Sequence, residues 1–368
     1  MVRAREDDAC PGALQTHRAA DGELARIRLP GGMITAGQLG AIASAAIEFG
    51  SPELELTSRG NIQIRAVRDT VAVADRLAAA GLLPSASHER VRNIVASPLS
   101  GRSGGQRDVR AVVTALDAAL QREPALAALP GRFLFGVDDG RGDVSGLGAD
   151  AGVHAVDETR FAITLSGRDT GVRIAWDDAV PTLLAIAGRF QVIRGKAWRV
   201  SELDDPTVLL DNAAAGPGWP ARTRPPVGWI TQDDGRVALG AAVPLGVLDA
   251  EVARLLAAVE APLAVTPWRS VLLFDLDEGV ADAALRVLAP MGLVFDEKSP
   301  WLSVSACTGS PGCAHTGTDV RAAATAAVHD PTDGHRHFVG CERACGSPAG
   351  GAVLVATGDG FRVRGAHP

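Results

Sequence analysis

Tyrosine is absent from this 368-residue chain, and aromatic residues make up only 4% of it. Its core is therefore expected to be mostly aliphatic. Lysine occurs only at Lys196 and Lys298, so arginine carries nearly all the positive charge. Arginine suits bidentate grip on carboxylates, although high-GC codon usage would give the same bias. The formal net charge of −7 argues against a nucleic-acid-binding surface. No apolar run is long enough to span a bilayer, and the first residues, Met1 to Pro11, hold no apolar signal core. The expected setting is the cytoplasm, with no membrane partner. Cys10 reads as an incidental free thiol on a frayed leader.

The cysteines that are present are unevenly placed. Four of the five lie between Cys307 and Cys345, as Cys307-x5-Cys313, a gap of 27 residues, then Cys341-x3-Cys345. Gly, Pro, Ser and Ala surround each pair, letting the backbone approach a bulky inorganic group closely. Structural zinc favours Cys-x2-4-Cys spacing, which the second pair fits better than the first. A cubane iron–sulfur cluster takes four thiolates at wider spacings. Two disulfides are the third option, disfavoured because nothing marks the chain as secreted.

The rest of the chain, at a length that suggests two or three domains, reads as alternating strands and helices. A strand at 23–29 leads into a helix at 36–49, with Thr35 as N-cap and Gly50 as stop. Strands follow at 54–57 and 61–65, then a helix at 69–81. This is the content of a ferredoxin-like half. It recurs: Asp234-Gly235 echoes Asp21-Gly22 at an offset of 213, and Leu263–Thr266 echoes Leu54–Thr57 at an offset of 209. A repeat so distant means two homologous halves. Between them lie a strand near 91–98, a helix at 108–121, a strand at 129–139, a hairpin at 161–176 and a helix at 178–190. Five prolines mark 204–226 as a linker. The last segment reads as a strand at 301–306, a helix at 319–328 and strands at 336–340 and 352–356.

At the cysteines the wording, with Ala306-Cys307 to His315 and Cys345-Gly-Ser-Pro348, resembles the nitrite and sulfite reductase family, and within it the precorrin-3B synthase branch. The resemblance implies an α+β fold: two ferredoxin-like half-domains in pseudo-twofold repeat plus two nitrite/sulfite reductase-like α/β core units. It divides the chain into a leader (1–20), half-domain 1 (21–88), core unit 1 (89–205), a linker (206–226), half-domain 2 (227–298) and a [4Fe–4S]-binding core unit 2 (299–368). It implies that Cys307, Cys313, Cys341 and Cys345 hold a [4Fe–4S] cluster.

The resemblance also assigns arginines. Thr57-Ser58-Arg59-Gly60-Asn61-Ile62-Gln63 is similar to the family's Thr-x-Arg-x-x-x-Gln strand, and Arg92-Asn93-Ile94-Val95 to its Arg-Asn-Val segment. Arg132 falls on a family lysine, while Leu134 stands where a second basic residue is expected. Arg269 lies near the repeat counterpart of Arg59, one residue out of register. All four arginines are expected to grip substrate carboxylates. The implied reaction is O2-dependent hydroxylation of precorrin-3A, a tetrapyrrole, at C-20 with γ-lactone formation, in aerobic cobalamin biosynthesis. A mononuclear non-haem iron would accompany the cluster; Asp138, Asp139, His315, His335 and His337 are candidates of the right type, with no ligand set assigned. No dinucleotide-binding loop is found, so electrons would come from NAD(P)H through a separate reductase or ferredoxin. The alternative is a sulfite or nitrite reductase with bound siroheme.

Overall fold

The computed structural model describes residues 10–222, 224–330, 332, 334–348 and 350–365. The chain forms two compact units. One comprises Met1–Gln15, Ile27–Met33 and Leu82–Arg222; the other comprises Thr16–Arg26, Ile34–Gly81 and Thr223–Pro368. Residues 1–9 of the expected leader lie outside the described residues. Among the described residues no helix is long and apolar enough to cross a membrane.

The second unit holds both ferredoxin-like halves. In the first half the sheet order is His17–Ala19, Gly22–Ile27, Ile62–Val67, Glu53–Leu56, with Val247–Asp249 on the edge. In the second half the order is Gly228–Thr231, Val237–Ala242, Ser270–Leu276, Leu263–Val265, with Met33–Ile34 on the edge. Each half thus lends its partner a short strand. The loan covers an edge that would otherwise expose a row of unpaired amides and carbonyls. Each lent strand runs straight into a helix cap. Thr35 and Gln38 form a capping box on the helix Ala36–Phe49. Asp249 accepts from the amides of Glu251 and Val252 on the helix Ala250–Ala257. The repeat is therefore structural as well as textual.

The same unit ends in a four-stranded sheet. Val304–Ala306, Arg336–Val339 and Ala352–Thr357 run parallel, and Gly360–Val363 returns antiparallel. A small core of Val304, Ala306, Val320, Ala324, Val328 and Phe338 joins it to the helix Val320–Ala326. Parallel neighbours require long crossovers, and the two crossovers carry the cysteine segments.

The first unit repeats this plan. Ile94–Ala96, Phe135–Asp138 and Ala151–Ala155 are parallel, and the hairpin Arg160–Leu165 with Arg168–Ala175 completes the sheet. The helices Arg110–Gln121 and Ala179–Ile193 contribute to its core, where Phe133 packs against Phe135 and Phe190 at 5.0 and 5.2 Å between ring centroids. The observed architecture is α+β, with two ferredoxin-like halves and two α/β core units.

Three local expectations change. Residues 10–15 are docked: Glu89, 3% exposed, accepts from the amides of Ala13, Leu14 and Gln15. Cys10 is half-buried with its thiol on the carbonyl of Gly131 at 3.3 Å, so it is not frayed. The strand read at 129–139 begins only at Phe135, because the Leu134 amide turns aside to the Asp150 carboxylate at 2.9 Å.

Candidate metal centre

Both cysteine loops leave the C-terminal ends of adjacent parallel strands, which is where open α/β sheets place their ligand crevices. Cys307 follows Ala306 directly. Its amide donates to Phe338 O at 2.9 Å, and its Sγ accepts from the Gly340 amide at 3.4 Å. The loop to Cys313 is closed by Ser310 N to Thr318 O at 3.0 Å. The second loop turns tightly, with Ala344 N on Cys341 O at 3.1 Å. None of the five cysteines is in a disulfide. Cys345 is exposed as a residue, yet partial desolvation of its sulfur, and then the neighbouring Cys307, Cys341 and Cys313, push its thiol up. The four sulfurs thus share one electrostatic neighbourhood. Four free thiols on two short loops at adjacent strand ends are a donor set of the kind and number that a cubane takes.

Behind the loops lie two histidines. His337 is fully buried; its Nε2 lies 3.0 Å from Cys345 O and its Nδ1 2.8 Å from Ser305 Oγ. The carbonyl can only accept, so Nε2 carries the proton and Nδ1 accepts from Ser305. Burial, reinforced by Arg269, lowers His337 to about 4, and it stays neutral. His335 is lowered for the same reasons. His315 lies apart from this pair, exposed and on Arg343 at 2.6 Å.

Arginines latch each loop. Arg65 donates to Gly312 O, next to Cys313, at 2.6 Å, and Arg269 donates to Gly346 O, next to Cys345, at 2.9 Å. Arg65 is held by two 2.8 Å bonds to Asp21 and by Glu55 at 3.6 Å. Glu55 also pairs with Arg321 and accepts from Gln63 at 2.9 Å. Burial opposes the Arg65 charge, but Asp21 and Glu55 more than restore it. This polar set was not singled out from sequence. Its signal was there: Glu55, Gln63 and Arg65 alternate with Leu54, Leu56, Ile62 and Ile64. Such alternation suggests a wet face, whereas all three polar residues are buried.

Of the four expected arginines, Arg59 and Arg269 lie in the unit that holds the cysteines. Each sits in the same turn of its repeat. Thr57 N bonds Asn61 O, and Thr266 N bonds Ser270 O, both at 2.9 Å. The counterpart of Arg269 (φ 57°) is therefore Gly60 (φ 66°), and Arg59 aligns with Trp268. Burial, with Arg321 nearby, draws the Arg269 guanidinium below its usual value, while Glu55 and Cys307 oppose the fall. Arg92 and Arg132 belong to the other unit. Arg92 makes two 2.7 Å bonds to Asp117; Arg132 is exposed, its guanidinium 5.2 Å from the Trp198 ring centroid.

Asp138 and Asp139 also lie in that unit. With Asp143 they form a buried trio whose oxygens lie within 4.8 Å of one another. The trio occupies the strand ends that correspond to the cysteine loops: Ser97 follows Ala96 as Cys307 follows Ala306, and Ser97 Oγ accepts from the Asp139 amide at 3.1 Å. The Asp138 carboxylate accepts four backbone amides, from Gly140, Gly142, Val144 and Ser145. Burial raises Asp138, but His154 and these amides outweigh it and hold the group at about 2. Burial first, and Asp138 second, push Asp143 up to about 7.

A raised carboxyl binds its proton more tightly in the folded chain than in the unfolded one. Its contribution is therefore present at low pH and lost as pH rises from about 4 through about 7. Asp143→Asn removes that slope. At pH 8 the variant is expected to be more stable than the parent by about 2–4 kcal/mol, with little difference near pH 4. Melting temperature against pH measures this; parallel curves for the two proteins would refute it.

The model of the nitrite/sulfite reductase ferredoxin-like half domain matches residues 17–80. A precorrin-3B synthase of Sinorhizobium sp is 27% identical over 392 residues, covering 99% of this chain and 84% of that protein. Ferredoxin–nitrite reductase of Synechococcus elongatus is 33% identical over 127 residues, covering 32% of this chain and 25% of that protein. The Mycobacterium tuberculosis NirA structure superposes with a TM-score of 0.77 at 18% identity, covering 93% of this chain and 74% of that one. The three findings point the same way: residues 17–80 resemble the nitrite/sulfite reductase ferredoxin-like half domain, the fold is shared with NirA, and similarity across 99% of the chain is to a precorrin-3B synthase.

Proposed function

We propose that the chain is a precorrin-3B synthase: a cytoplasmic monooxygenase that hydroxylates precorrin-3A at C-20 and closes a γ-lactone, using O2. The observation that carries this reading is the similarity to precorrin-3B synthase across 99% of the chain, whereas the Synechococcus nitrite reductase match covers 32%. One oxygen atom would enter the product and the other would leave as water, with two electrons supplied from outside. Cys307, Cys313, Cys341 and Cys345 would hold a [4Fe–4S] cluster, whose chemistry would be to supply those electrons singly. They would come from NAD(P)H through a separate reductase or ferredoxin. A mononuclear non-haem iron, also implied, has no assigned ligands.

The chain's own residues do the positioning. Arg65 and Arg269 hold the two cysteine loops in place. Neutral His337 braces Cys345 O without adding charge. In the unit that holds the cysteines, Arg59 is proposed to pair with a carboxylate of the tetrapyrrole. Arg92 is already engaged by Asp117.

Siroheme-dependent reduction of sulfite or nitrite is the second reading, favoured by the local reductase similarity. Against it, the position expected to carry a second basic residue is Leu134, an apolar side chain only 4% exposed. Protein purified without air should show iron–sulfur absorption and no siroheme band, and should consume O2 only with precorrin-3A and a reductant. A siroheme band with sulfite or nitrite turnover would reverse the assignment.

A further inference from the structure

We propose that Arg269 is a positioning residue that sets the reduction potential at the cysteine loops, and is not simply one more grip for substrate carboxylates. The inference rests on the reading of the four cysteines as cluster ligands. Three independent features carry it.

The first is backbone strain. Arg269 adopts φ 57°, a region that costs a residue with a Cβ roughly 1–2 kcal/mol. The other repeat puts Gly60 at the same point of the same turn. An arginine kept where glycine is at ease indicates that its side chain does something glycine cannot.

The second is space made for that side chain. A Cβ built on Gly246 would lie 2.6 Å from Arg269 Cδ, and one on Gly346 would collide with Arg269 Nη2. Both glycines have positive φ, 72° and 75°. The arginine is threaded between two residues that cannot gain side chains without displacing it.

The third is where the charge ends up. The guanidinium donates to Gly346 O, next to Cys345, and lies within electrostatic reach of Cys307. A cluster gains a negative charge on reduction. A fixed cation beside it stabilises the reduced form, and poor solvation strengthens the effect.

The test uses the full-length protein with its cluster reconstituted. Arg269→Gln removes the charge and keeps an amide donor on a shorter side chain. Arg269→Lys restores the charge. The midpoint potential is read by titration followed by visible absorption or electron paramagnetic resonance, with iron and sulfide counted in each sample. Expected is unchanged cluster content, and in Arg269→Gln a fall of at least tenfold in the reduced-to-oxidised ratio at fixed potential, 59 mV for one electron. Arg269→Lys should recover most of it. Equal potentials in parent and Arg269→Gln overturn the proposal. So does loss of the cluster from both variants in folded protein, since that makes Arg269 a mechanical latch. Absence of a cluster from the parent protein would sink the cofactor reading instead, and the two failures are thereby told apart.

Discussion

Cys341→Ser is expected to abolish cluster binding, dropping iron and sulfide from four each per chain to near zero and removing the visible absorption. A cubane is held by four thiolates, and serine offers a far weaker ligand for iron. The position leaves little room for substitution by a neighbour. Cys341 opens a tight turn in which Ala344 N returns to its own carbonyl at 3.1 Å. The remaining cysteine, Cys10, belongs to the other unit, where its thiol meets Gly131 O. Cys10→Ser therefore serves as the control and should keep full iron content. Loss of the metal should also lower the melting temperature, because a group bound only to the folded chain stabilises it by mass action. Retention of four irons in Cys341→Ser would remove this cysteine from the ligand set. Finding zinc without sulfide in the parent would replace the cluster with a structural metal.

The four cysteines stand out in the sequence because an iron–sulfur site would demand one residue type at fixed places. Local features were equally open to reading. Thr35 and Gly50 bracket the helix Ala36–Phe49 as expected, since caps depend on residues a few positions apart. Long-range features were hidden. Nothing in two residues, Met33–Ile34, says that their sheet partners come from the other repeat, beyond residue 260. Ala151–Ala155 escaped notice because Ala-Gly-Val-His-Ala has weak strand preference and gains its order from neighbours on both sides. The hydrogen bonds pair Arg269 with Gly60, the same one-residue offset from Arg59 that the repeat spacing of 209 implies. Charged residues inside the ferredoxin-like sheet were the largest omission. A glutamate and an arginine on alternating positions look solvated until a second layer covers them.

That covered layer makes Arg65→Met the most damaging change expected outside the cysteines. Methionine keeps much of the side-chain volume and removes the charge. Asp21 and Glu55 then face each other's charge without their shared cation, in a place where the Arg65 side chain is 11% exposed and Glu55 only 9%. Removing one partner of such a buried pair costs about 3–5 kcal/mol, mostly from the charge left behind. Glu55 keeps Arg321, so the larger share of the penalty falls on Asp21, whose two 2.8 Å bonds both end on Arg65. Adding Asp21→Asn to Arg65→Met should therefore recover part of the loss, a non-additivity that a double-mutant cycle in urea can measure. The same substitution frees Gly312 O, so the loop before Cys313 loses its anchor. Cluster loss to a chelator should become several-fold faster in Arg65→Met, and Asp21→Asn should not correct it, because asparagine cannot replace the missing donor to Gly312. A cost below about 1 kcal/mol, within the range of an exposed ion pair, would mean that water reaches this layer and that the arginine is not what joins the half-domain sheet to the cysteine loop.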